Sequence, residues 1–315
     1  MTGRSGEHAG AMTLVWQGTA SQWECDHMGH LNTRFYIKRL AEGLQAFANH
    51  LGFTRHPGHQ GQALRAVQIH ARFLTEVHVA QPLALYMGVI ACDQDGLLLQ
   101  AALCDPDEPQ RFAAFVLRTR AQDLESGILQ PLDTAVLSKA DTLSVAPDNT
   151  LQPRSFGIEP LPGETVKPDS GALRIVGAGA WMEDSVDENG LMRAEEPIAR
   201  LADSMGGLMR PYRGAVIDHA DPVPARPGGA MLETRIDIVR WPRVGRAFRL
   251  SGVLTGYGSK TQEIESLVVD AVDGHLVAVM RCVAIVFDLD KRRAVPVSDK
   301  AAKVLAGMIR GSALG

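Results

Sequence analysis

The longest regular pattern in the chain begins at Tyr36, where Tyr36, Leu40, Leu44, Phe47 and Leu51 recur at spacings of three and four. That spacing sets them on one face of an α-helix and predicts that the face is buried. Asn32 stands where an N-cap belongs, its side-chain oxygen able to accept from first-turn amides, and Gly52 stands where a left-handed residue ends a helix. The helix is therefore expected over Thr33 to Leu51. A short strand begins ahead of it at Leu14, Val15 and Trp16. After it come strand patterns, at Val67 to Phe73, Leu83 to Ala91, Leu97 to Leu103 and Phe112 to Leu117. One helix followed by an antiparallel meander is the predicted unit.

Between 126 and 170 the periodicity stops and Pro131, Pro147, Pro153, Pro160, Pro162 and Pro168 accumulate, which reads as a crossover linker. Beyond it the first pattern returns. Arg39-Leu40-Ala41-Glu42 recurs 161 positions later as Arg200-Leu201-Ala202-Asp203, and at that offset Val15 meets Val176, Asp26 meets Asp187 and Gly29 meets Gly190. The strands follow at 165, with Val79 on Val244, Leu85 on Leu250, Asp105 on Asp270, Asp123 on Asp288 and Pro131 on Pro296. The change of offset asks for a loop four residues longer after the second helix. The expected organisation is a tail over 1–11, one α+β unit over 12–125, the linker over 126–170, a second α+β unit over 171–298, and a C-terminal helix or tail over 299–315.

Composition narrows the function classes. The 315 residues carry a formal net charge of −4 with acids and bases interspersed, which gives no electrostatic case for nucleic acid or a membrane surface as partner. No apolar run reaches the length of a membrane span and the first residues lack a hydrophobic signal centre, so a cytoplasmic protein is expected. Cys25, Cys92, Cys104 and Cys282 form no Cys-x-x-Cys pair, so they are expected as reduced thiols packed like small hydrophobes.

The stretch from Glu24 to Tyr36 concentrates the chemistry. A helix entrance offers unpaired N–H groups and the positive end of the dipole, which stabilise negative charge growing on a nearby oxygen. Asp26 precedes that entrance by one tight turn, so its carboxylate can stand beside a carbonyl whose oxygen rests on the amides of Thr33 or Arg34, there to attack it or to activate water. The plainer role for Asp26 is to close the turn. Cys25 lies near His27 and His30, but nothing in the sequence lowers its pKa. His50, His56, His59, His70 and His78 lack paired cysteines and the His-Glu-x-x-His pattern, so no metal is expected. Gly177-Ala178-Gly179-Ala180 lacks the strand and helix of a phosphate loop, and Arg72, Arg240, Arg243 and Arg246 read as solvated strand residues before phosphate ligands.

Asp26-x-x-Gly29-His30-x-Asn32-x-x-x-Tyr36, between a first strand and a long helix, resembles the motif of the 4-hydroxybenzoyl-CoA thioesterase family of hotdog-fold proteins. The resemblance implies two tandem hotdog units, each a central helix wrapped by a curved antiparallel sheet, paired as an intramolecular pseudo-dimer. It implies Asp26 as nucleophile or general base, Gly29 as the turn permitting close approach, the amides near Thr33 and Arg34 as the carbonyl clamp, and His30, Asn32 and Tyr36 as residues that orient the acid or line the pocket. For His30 a packed core histidine remains an equal alternative, and for Tyr36 core packing leads.

In the second copy Leu191, Arg193 and Pro197 replace His30, Asn32 and Tyr36. Leu201-Ala202-Asp203-Ser204 resembles another hotdog branch, the phenylacetyl-CoA type, which implies Asp203 as a second catalytic candidate, with Glu42 at the same place in the first helix. The reading is an acyl-CoA or acyl-carrier thioester hydrolase that needs no cofactor, coenzyme A entering as part of the substrate, with a homo-oligomer of the pseudo-dimer allowed. An enoyl-thioester hydratase and a non-catalytic acyl-CoA-binding module are the alternatives.

Overall fold

The computed structural model describes residues 12–26, 28–53, 61–157, 163, 168, 173–312 and 314. The expected tail over 1–11, and with it His27, His56, His59, Pro160 and Pro162, lies outside the described residues. The chain forms two compact units, Met1–Gly157 and Ile158–Gly315.

In the first unit the elements are β1 (Thr13–Thr19), α1 (Thr33–Leu51), β2 (Gln62–Phe73), β3 (Pro82–Asp93), β4 (Gly96–Cys104), β5 (Arg111–Asp123), the short β6 (Leu129–Gln130) and α2 (Thr134–Thr142). The strands are antiparallel in the order β1-β3-β4-β5-β2, with β6 on β5. Helix α1 has the bounds its pattern predicts because both end signals operate: Asn32 Oδ1 accepts from the Arg34 amide, and Gly52 takes φ +97°. Its apolar face lies on β1, β2 and β3. Gly43 lets helix and sheet come close, since a Cβ there would stand 2.9 Å from a Val15 methyl and closer still to one of Leu85. Leu85 thus faces the helix, and alternation turns Tyr86 and Gly88 to the opposite face.

That opposite face is also apolar, and it shows what the crossover segment packs on. Met12, Ala102, Cys104, Ala114 and Leu151 form a buried cluster there with Tyr86 and Val145 against it. The chain after 126 supplies the cover. Helix α2 starts at Asp133, whose side chain accepts from the Val136 amide, and packs on β3 and α1. The following segment runs beside β3, with Val89 N–H donating to Leu143 O (3.1 Å) and Val145 N–H to Val89 O (2.8 Å). Gln100 holds Ala146 O and the Asp148 amide, and the Arg72 guanidinium holds the carbonyls of Thr150 and Gln152. A sheet apolar on both faces needs two covers, and the crossover segment, held extended by the prolines at 147 and 153, is the second.

In the second unit β7 (Ile175–Ala180), α3 (Glu196–Ile217), β8 (Pro227–Ile238), β9 (Ala247–Tyr257), β10 (Thr261–Asp270), β11 (Leu276–Asp288), β12 (Arg293–Ala294) and α4 (Asp299–Ala306) follow in chain order. The strand order β7-β9-β10-β11-β8, with β12 on β11, matches the first unit element for element. The repeated acids share their work too. Asp105 accepts from the amides of Asp107 and Glu108, and Asp270 from those of Val272 and Asp273. Asp123 closes its turn through Ser126, and Asp288 through Asp290 and Lys291. The change of offset lies elsewhere than expected. Helix α3 has 22 residues against 19 in α1, so the extra length extends the helix and not the loop after it.

Gly177 to Ala180 is strand, not a phosphate loop, and a Cβ at Gly177 would stand 2.6 Å from Ser204 Oγ on α3. Helix α4 lies at the start of the C-terminal stretch expected over 299–315, capped by Ser298 on the Ala301 amide. Among the described residues no helix is long and apolar enough to cross a membrane.

Candidate active site

The chain between β1 and α1 folds back on itself in three rungs. The Asn32 amide donates to Glu24 O (3.0 Å), Cys25 and Leu31 pair as an antiparallel bridge, and the Asp26 amide donates to His30 O (2.8 Å). Asp26 is thereby brought within two rungs of the helix cap. At the tip the Gly29 amide donates to Asp26 O (3.0 Å), and Gly29 has φ +81°, a conformation that favours glycine. The Asp26 carboxylate bends into this turn, where Oδ1 accepts from the amides of Met28 (2.8 Å) and His30 (3.2 Å). One carboxylate oxygen thus holds the turn and leaves the second for other work.

At the helix entrance the two amides proposed as a carbonyl clamp separate. The Arg34 N–H is taken by Asn32 Oδ1 (3.0 Å) and the Phe35 N–H by Asn32 O (2.9 Å), whereas the Thr33 N–H is not used by the cap. Arg34 is removed from the clamp, and Thr33 keeps the dipole's positive end within reach. Tyr36 is core. It is buried edge-on against Phe73 (5.1 Å), and its phenol pKa is raised well above the usual range by burial despite a backbone hydrogen bond at Val77. The Cys25 thiol is raised too, by burial and then by the charges of Asp26 and Glu24, which disfavours a nucleophilic thiolate.

The loop is pinned to α1 by an ion pair that the sequence reading did not identify. Glu24 is 0% exposed, accepts from the Ser21 amide (3.1 Å), and pairs with Arg39, whose guanidinium also lies 4.8 Å over the Trp16 ring and bonds Glu42 (2.9 Å). The only signal in the sequence was Arg39 within the repeated Arg-Leu-Ala-acid segment. Glu42 belongs to this network: burial pushes its pKa up, but hydrogen bonds from Lys38 and Arg39 reverse that and leave it lowered. It is a paired surface carboxylate.

The second unit repeats the turn. The Asp187 amide donates to Leu191 O (2.8 Å), and Asp187 Oδ1 accepts from Asn189 (2.9 Å) and Leu191 (3.1 Å). Its helix entrance differs, since Glu195 at the N-cap position makes no side-chain cap and Pro197 removes an amide from the first turn. Asp203 is 63% exposed and lies 3.8 Å from Arg200, the environment of a solvated helix acid. Of the arginines considered for phosphate, Arg72 holds backbone carbonyls, Arg246 pairs with Asp270 and Asp273, and Arg240 with Asp273.

Residues 20–143 match the model of the thioesterase-like superfamily. Comparison with curated proteins gives no match. Among solved structures, the 12:0-ACP thioesterase from Umbellularia californica superposes with a TM-score of 0.65 at 8% identity, over 88% of this chain and 95% of that one. An acyl-ACP thioesterase from Bacteroides thetaiotaomicron superposes with a TM-score of 0.62 at 11% identity, over 87% and 98%. At such identities the likeness is one of fold. The chain shares the hotdog fold of these proteins, and residues 20–143 carry the sequence pattern of the thioesterase-like superfamily.

Proposed function

We propose that the protein hydrolyses acyl thioesters at a site built on the Asp26 turn and the α1 entrance. The observation that carries this reading is the Asp26 carboxylate, fixed by one oxygen at the tip of a three-rung turn whose far end is the helix cap. The second oxygen attacks the thioester carbon or takes a proton from the water that does. The carbonyl oxygen rests meanwhile on the Thr33 amide and the helix dipole. Thiolate leaves and picks up a proton, and water supplies the oxygen of the released acid. A thioester carbonyl has little resonance stabilisation and a good leaving group, so one carboxylate and an amide clamp suffice.

On this reading His30 orients the acid through its backbone amide, Gly29 sets the turn, and Tyr36 supports the pocket wall from the core. The second unit, lacking the cap and carrying Pro197, contributes no equivalent site, and Asp203 and Glu42 take no part. Pairing of the two units as a pseudo-dimer, a cytoplasmic location, and coenzyme A or an acyl carrier protein as the thiol carrier belong to the same proposal. The test is thiol release from a panel of acyl-CoA and acyl-carrier-protein thioesters. Hydrolysis of at least one class is expected. No thiol release across the panel, with tight acyl-CoA binding, would replace the hydrolase by a binding module.

A further inference from the structure

We infer that His30, Glu76 and His78 form a binding site for a divalent transition metal of the zinc type. One donor atom from each of the three side chains lies within 4.8 Å of the others. His30 Nδ1 stands 3.6 Å from Glu76 Oε1, and the two imidazole rings meet edge to face with centroids 4.9 Å apart.

The backbone enforces this grouping. His30 and His78 are directly opposed in an antiparallel bridge, held by the Leu31 amide on Val77 O (2.8 Å). Opposed residues in such a pair carry their Cβ atoms about 5 Å apart on one face. Glu76 and His78 flank Val77, which is fully buried, and His30 adjoins buried Leu31. Alternation therefore sends the apolar pair inward and the three donors outward together. His78 is exposed, which gives an ion a way in.

The second unit shows that the pairing itself does not need these side chains. There the same bridge is made by Leu191 and Arg243, with the Met192 amide on Pro242 O (2.9 Å), and Trp241 takes the place of Glu76. The ladder is kept and every donor is lost. Two imidazoles and one carboxylate are a set suited to zinc with one coordination position left for water. Ligand atoms around tetrahedral zinc lie about 3.3 Å apart, so the side chains close by no more than about 1.5 Å. The bound ion would share His30 with the Asp26 turn, since the His30 amide donates to Asp26 Oδ1.

The test is titration of the full chain with Zn²⁺ alone, without substrate, by calorimetry at neutral pH, so its result is independent of any hydrolytic activity. One saturable zinc per chain is expected, weakened at least about tenfold by His78→Ala and by Glu76→Gln. His275→Ala, at a His paired with Asp273 in the second unit, leaves it unchanged. Cobalt(II) loaded in place of zinc gives the intense visible absorption of a four-coordinate site, lost in His78→Ala. Absence of saturable binding in the wild type, or equal binding by the Glu76→Gln/His78→Ala double variant, overturns the inference.

Discussion

Arg39→Met isolates the charge that anchors the Asp26 turn to α1. Methionine keeps an apolar stem to pack on Trp16, where the guanidinium now lies 4.8 Å from the ring, and removes only the cation. Glu24 is 0% exposed and Arg39 12%, so solvent does little to replace the lost partner, and the Ser21 amide remains as a single hydrogen bond to the stranded carboxylate. Breaking a buried pair from one side costs about 3–5 kcal/mol. For a unit the size of Met1–Gly157 that lowers the melting temperature by about 6–20 °C. Glu24→Gln in the same background removes the buried charge and restores most of the loss. Urea melts of the wild type, the single and the double variant give the three free energies. A loss below about 1 kcal/mol in Arg39→Met, or no recovery in the double variant, would refute the buried-ion account.

Acid sensitivity is set by carboxylates whose folded pKa is lowered. Asp273 is brought down to about 2, first by the His275 amide; in Asp270 burial pushes the value up, but hydrogen bonds from Arg246 and from the Val272 and Asp273 amides together leave it lowered. Depressed values mean that their stabilisation is complete above the unfolded aspartate range, about pH 4, and is lost as the pH falls toward 2. Melting temperature should drop across that window, and Asp273→Asn should flatten part of the drop; identical slopes would contradict it. Thiol labelling should divide the cysteines. Cys104 and Cys282 are fully buried, with burial raising their pKa to about 11 and about 12, and should react with an aromatic disulfide reagent only on unfolding; the half-buried Cys25 and Cys92 should react first. Four thiols labelled at one rate in the native protein would count against the packing described.

Local signals were legible in the sequence and long-range ones were not. The bounds of α1 followed from Asn32 and Gly52 because a cap and a left-handed stop act within one turn. The repeated acids revealed the duplication because Asp26, Asp105 and Asp123 close turns that recur at Asp187, Asp270 and Asp288. The stretch from 126 was legible as a crossover, but helix α2 and the docking were not, because an extended covering segment has no period of its own; only the second apolar face of the sheet shows why it docks. Thr33 and Arg34 could not be told apart beforehand, since which amide the cap consumes depends on geometry. His78 lies 48 positions beyond His30, and nothing local marks that the two face each other across a bridge.

The most direct test of the central claim compares Asp26→Asn with Asp187→Asn in thiol release from the best thioester. Asparagine keeps the oxygen that accepts the turn amides in both places, so both variants should retain the wild-type fold by circular dichroism. Only the first removes a reacting carboxylate, and it should lower kcat by about 10²–10⁴-fold while Asp187→Asn stays near wild type. Equal activity in the two variants would contradict the account and leave Asp26 as a turn residue alone.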